Sequence, residues 1–175
     1  MHLYNSKERY GAISILLHWL MAVLIIAALI LGVVMTQIPV RFSLYEWHKD
    51  IGLSILILVF IRFIWRLVNI SPSLKTLPSG EQFAAKFVVL FCYAFMFIIP
   101  MTGWLLLSAS DIPVSFLTFN LPELIEPNDN LDSLLLNAHK WLSYLLIILI
   151  IFHIAAAFKH FFIDKNKIMK RITKL

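Results

Sequence analysis

Four apolar runs, each close to the length that crosses a lipid bilayer, leave this chain few folds to choose from. They cover roughly residues 12–37, 52–68, 83–107 and 141–162, against the ~20 residues a spanning helix needs. In hydrocarbon only helices and closed barrels satisfy every backbone polar group. A barrel would show ~10-residue segments of alternating hydrophobicity, and these runs do not alternate. With 61% hydrophobic and only 14% charged residues, the composition excludes an ordinary soluble domain. The chain therefore reads as all-α, an integral membrane four-helix bundle forming a single domain over 1–175, with helices at about 12–37, 48–68, 82–107 and 139–162.

Where the charges fall sets the expected orientation. Lys7, Arg9, Arg62, Arg66, Lys75, Lys159, Lys165, Lys167, Lys170, Arg171 and Lys174 share one side if the four helices alternate. By the positive-inside rule that side is cytoplasmic, so both termini are expected there. The outer loops hold Arg41, Lys49 and Lys140 against seven acids, among them Glu46, Asp50 and Asp111. The net charge of +5 is then topological and implies no nucleic-acid partner. The first run exceeds the ~7–15-residue core of a secretory signal and lacks a small-residue cleavage site, so it is expected to remain as a helix. The single Cys92 lies mid-run and reads as a packing residue.

Histidine is the informative residue type. His139 and His153 are fourteen positions apart, which on one helix means ~21 Å of rise and about 40° of rotation. With alternating topology, His18 and His153 fall in the inner half of the bilayer and His48 and His139 at its outer edge. They pair by depth. A histidine inside a spanning helix is a functional residue by default, although a lone one can simply hydrogen-bond a neighbour.

The cofactor follows by elimination. A carboxylate-bridged di-iron site needs helix glutamates in Glu-x-x-His motifs, which these helices lack. Zinc wants three or four ligands in one place, and each depth offers two. Two opposed imidazoles suit the axial positions of haem iron, which then keeps no open position and favours electron transfer over oxygen activation. Metal ligands are therefore expected at His18, His153, His48 and His139, with two haem groups and no catalytic side chain. Elsewhere, Pro100 and Gly103 are expected to interrupt the third helix. Residues 108–136 form a long outer loop, in which LTFNLPELI is read as an interfacial cap.

Several motifs carry a family likeness: RY at Arg9 and LHW at Leu17; WHKDIGL and R..WR between Trp47 and Arg66; PMTGW from Pro100; SASDIPV from Ser108; and the two histidines followed by KHFF between His139 and Phe162. On these the chain resembles the bacterial cytochrome b561 family, four-helix di-haem cytochromes related to the cytochrome subunits of hydrogenases and formate dehydrogenases. The resemblance runs nearly end to end. It implies that His18 with His153, and His48 with His139, ligate the two haems, and that electrons pass to or from the quinone pool. It further implies an oxidoreductase of the superoxide:ubiquinone type. The chain departs from the family pattern at Val89 and Phe161, where the family often has histidine.

Several cations are candidates to bind haem propionates: Arg9, Arg62, Arg66 and Lys159 at the inner haem, and Arg41, Lys49 and Lys140 at the outer one. For Arg62 and Arg66 positive-inside anchoring is the alternative. His160 is either an interfacial surface histidine or a propionate partner or proton relay to quinone. Beyond lipid and quinone, a soluble redox protein is the remaining partner, because the chain could also serve as a non-catalytic electron carrier anchoring a dehydrogenase.

Overall fold

The computed structural model describes residues 2–37, 42–166 and 168–173. Arg41, expected near the second histidine pair, lies outside these residues. Four long helices dominate: α1 Ala12–Gln37, α2 Phe42–Leu67, α3 Ser79–Ala109 and α4 Asp129–Phe158, with a short α5 at Lys170–Thr173. A π-helical turn, Lys159–Ile163, continues α4. Three of the four, α1, α3 and α4 with its π turn, are long and apolar enough to cross a membrane. The fourth, α2, is as long as α1 but carries Glu46, Lys49, Asp50, Arg62 and Arg66.

Large apolar side chains face outward along every long helix, including Ile26, Ile57, Leu90 and Ile151. In water this would be an aggregation-prone surface; it is the surface a bilayer wets. The interior is small by comparison. One cluster joins Met21 of α1, Ile55, Leu56 and Val59 of α2 and Met96 of α3, with Cys92 and Tyr93 packed against it. Cys92 thus has the packing role expected of it.

The helix boundaries differ from the expected ones at 48–68, 82–107 and 139–162. The second helix begins at Phe42 and the third at Ser79, both in polar sequence that hydropathy assigns to loops. The fourth begins at Asp129, where Asn128 caps the backbone N–H groups of Asn130 and Leu131 with its side-chain oxygen. Asp129 and Asp132 in that first turn oppose the helix dipole favourably. Local capping chemistry therefore extends the helix into sequence that hydrophobicity alone would leave out.

As a result the long loop shrinks to residues 110–128. It contains a two-stranded antiparallel hairpin, β1 Ser115–Phe116 and β2 Phe119–Asn120. Val114 is buried against Leu53 and Leu107, Trp104 donates its indole N–H to the Pro122 carbonyl, and Ser110 bonds Asp132. The segment is pinned to the bundle rather than loose. Pro100 does not interrupt α3, which is continuous from Ser79 to Ala109.

At the opposite end, Trp65 donates to Ser14, and Ser14 to the side-chain oxygen of Asn5, whose amide reaches the Ile70 carbonyl. The N-terminal segment is thereby stitched to the start of α1 and the end of α2. Helix packing runs α1 on α2, α2 on α3 and α3 on α4; α4 makes no comparably close approach to α1 or α2. The space between α4 and those two helices is where the histidines meet.

Candidate haem-binding site

His18 comes from α1, His48 from α2, and His139 and His153 from α4. The fold brings them together as two pairs. The rings of His18 and His153 have centres 6.4 Å apart, and those of His48 and His139 6.1 Å apart. Histidine nitrogens lie ~2.0–2.1 Å from a metal and about 1.2 Å from their own ring centre, so two imidazoles opposed across one ion have centres ~6.4 Å apart. Both pairs match that spacing, and each spans a gap between helices that do not otherwise pack closely.

The tautomers of the second pair follow from the partners of Nδ1. His48 Nδ1 lies 3.0 Å from the Ala28 carbonyl, and His139 Nδ1 lies 3.0 Å from the Ile99 carbonyl. A carbonyl only accepts, so each Nδ1 carries its proton and donates it, which leaves the Nε2 lone pair for a metal. Thr102 adds to this: its hydroxyl donates to the same Ile99 carbonyl at 2.7 Å, and its oxygen is 3.1 Å from His139 Nδ1.

The same device is used twice. Four residues beyond each accepting carbonyl stands a glycine, Gly32 after Ala28 and Gly103 after Ile99. A Cβ on Gly32 would lie 3.3 Å from His48 Cε1, and one on Gly103 3.2 Å from His139 Cε1. Each imidazole rests over a glycine of a neighbouring helix. The long helix without a histidine, α3, therefore orients His139.

The first pair is held differently. Arg62 Nη2 is 3.1 Å from His18 Nδ1; a guanidinium only donates, so here Nδ1 accepts. Binding a metal through Nε2 requires Nδ1 to take up the proton, and Arg62 to release this bond. Arg62 has other contacts, with Met21 Sδ at 3.9 Å and the face of Tyr93, over which Arg66 also sits.

The remaining expected residues spread more widely. Arg9 is exposed in the N-terminal segment. His160 is not with the ligand pairs but in a cluster with Asp164, 2.8 Å away, and Glu81. Lys159 joins the same two carboxylates at 2.8 and 2.7 Å. Lys49 is buried and bonded to Glu46 and to Ser115 of the hairpin. A cavity of about 340 Å³ opens between the His48 and His139 rings, walled by apolar side chains with Tyr45, Lys49 and Lys140 among the few polar ones.

Sequence reasoning missed Gly32, Ala28, Ile99 and Thr102. A glycine inside an apolar helix, where it is destabilising by ~1 kcal/mol against alanine, is the signal that points to a close approach.

Long apolar helices with paired imidazoles facing across the gaps between them define a class: helical membrane proteins with two candidate metal-binding positions. Sequence comparison makes the class specific. Residues 9–174 match the family described as prokaryotic cytochrome b561. Cytochrome b561 homolog 2 of Escherichia coli K12 is 33% identical over 180 residues, covering 98% of this chain and 95% of that protein. Cytochrome b561 homolog 1 of the same organism is 27% identical over 170 residues, covering 94% and 97%. The chain belongs to the prokaryotic cytochrome b561 family. It is accordingly an inner-membrane, b-type cytochrome of electron transport.

Proposed function

We propose that this cytochrome carries two bis-histidine b haems, an inner one between His18 and His153 and an outer one between His48 and His139. The observation that carries the reading is the spacing of the two imidazole pairs, 6.4 and 6.1 Å between ring centres. When bound, haem supplies one-electron chemistry, and two histidine ligands leave its iron no open position for substrate. The four ligands hold the cofactors, while Ala28, Ile99 and Thr102 orient the outer imidazoles.

In this reading all four long helices span the bilayer and both termini lie in the cytoplasm, which the Lys and Arg distribution supports. Arg9, Arg62 and Arg66 lie on the inner side; Arg62, once it releases His18, is free to pair with an inner propionate. Electrons pass between a small donor and the quinone pool. With superoxide as donor, two superoxide ions, one quinone and two protons give two dioxygen molecules and one quinol. His160, set between Asp164 and Glu81 in the π-helical turn that continues α4, is the candidate residue beside the quinone.

A second reading, an electron-carrier subunit that docks a soluble redox partner, is favoured by the pinned outer segment. It presents Asp111, Glu123 and Glu126 beside exposed Leu117 and Phe119. The purified chain decides between the two. A reduced b-type absorption band with two haems per chain, and haem reduction by superoxide faster than its spontaneous dismutation, support the oxidoreductase. Haem-loaded protein that superoxide leaves oxidised supports the carrier, and protein without haem overturns both.

A further inference from the structure

We propose that Tyr45 anchors the outer cofactor by hydrogen-bonding one of its carboxylates. The inference rests on the haem reading above and adds a binding residue to it. Tyr45 stands on α2 three positions before His48, and its side chain forms part of the same cavity wall as His48 and His139. The ring is fixed in place, packed against the buried cluster of Leu53, Leu107 and Val114.

Its hydroxyl is the one buried side-chain polar atom without a hydrogen-bond partner among the described residues. Buried polar groups are almost always paired, and one left unpaired is destabilising. The group is therefore unsatisfied in the protein alone, buried on a residue that lines the cavity.

Lys49, one of the three cations the sequence offers for this role beside Arg41 and Lys140, is already committed. Its ammonium is buried in an ion pair with Glu46 and a 2.7 Å bond to Ser115 of the hairpin. The wall thus combines a neutralised lysine with an unsatisfied phenol. A phenol O–H needs an acceptor and bonds a carboxylate with charge assistance. Haem b is an apolar plate with two carboxylates, and this cavity has apolar walls, two facing imidazoles and few polar groups. The cofactor satisfies Tyr45, and Tyr45 fixes which way round the cofactor sits.

The test uses the full-length, haem-loaded chain in detergent and the variant Tyr45→Phe, which removes only the hydroxyl. Two readouts are followed: haem loss to an excess of a haem-scavenging apoprotein, and the propionate bending band in resonance Raman spectra. The expected result is that one of the two haems leaves about tenfold faster or more, the other leaves at the wild-type rate, and the band moves. Unchanged loss and an unchanged band in Tyr45→Phe overturn the proposal. Equal acceleration at both haems also overturns it, because that marks general loosening. A wild-type chain without haem overturns the parent reading instead.

Discussion

The imidazole of His139 rests on Gly103, with Cε1 only 3.2 Å from where a β-carbon would stand. One turn back along α3, the carbonyl of Ile99 accepts the Nδ1 proton of the same ring. The glycine supplies the space and the carbonyl the tautomer. A residue with a side chain can supply the carbonyl, as Ile99 does, but not the space.

Gly103→Ala tests this directly. The added methyl must push His139 by a few tenths of an ångström, and overpacking of this kind costs ~1–3 kcal/mol. The expected outcome is preferential loss of one haem, read as haem per chain in a pyridine haemochrome assay. Gly32→Ala, with its slightly longer 3.3 Å contact to His48, is expected to do the same more mildly. Full haem content and unshifted haem spectra in both variants would remove the cradle from the account.

The ligand assignment makes a separate prediction. His153→Ala or His18→Ala is expected to remove the inner haem and spare the outer, leaving about half the wild-type absorbance of the reduced protein. His48→Ala or His139→Ala is expected to give the complementary half-spectrum. If His18→Ala and His48→Ala remove the same spectral component, the pairing is wrong.

Thr102→Val keeps shape and removes the hydroxyl that donates to Ile99. Loss of one partly buried hydrogen bond is worth ~0.5–1.5 kcal/mol. The outer haem should be retained but with a shifted midpoint potential, measured by spectroelectrochemical titration. An identical titration curve would show that the hydroxyl does not act on His139.

Lys49→Met leaves Glu46 and Ser115 without the ammonium they share. Stranding such partners costs ~1–3 kcal/mol, and the hairpin at residues 115–120 is expected to exchange its amide hydrogens faster than in the wild type. Protection equal to wild type would show that Lys49 does not hold the hairpin.

The cluster beneath the inner site should respond to acid. The Lys159 ammonium, followed by His160, holds the Asp164 carboxyl below the usual carboxylate range. A carboxylate with a depressed folded-state pKa contributes stability above its unfolded pKa, and that contribution is lost as the pH falls through the folded value. Amide exchange across residues 159–166 is therefore expected to rise only when the pH drops below the ordinary carboxylate range. Asp164→Asn should abolish that pH dependence; a variant that keeps it would place the titration elsewhere.

The helical class and the two histidine pairs were legible in the chain itself. Apolar runs of spanning length leave no other backbone solution in lipid, and histidines at matching depths can be paired by counting residues. The ends of the helices were less legible. Asn128 caps α4 at a point where the sequence is polar, and hydropathy does not see hydrogen bonds.

What only the tertiary structure decided is how each imidazole is held. His139 meets Ile99, Thr102 and Gly103 across 40, 37 and 36 residues of chain, and His48 meets Ala28 across 20. Which carbonyl accepts, which glycine makes room and which arginine intrudes on His18 depend on the rotation of one helix against its neighbour. Periodicity fixes which face a residue occupies on its own helix, but not what that face meets. The sequence therefore determined that paired histidines exist, and the packing of α1 and α3 against α2 and α4 decided the tautomers of His48 and His139 and the arginine contact of His18.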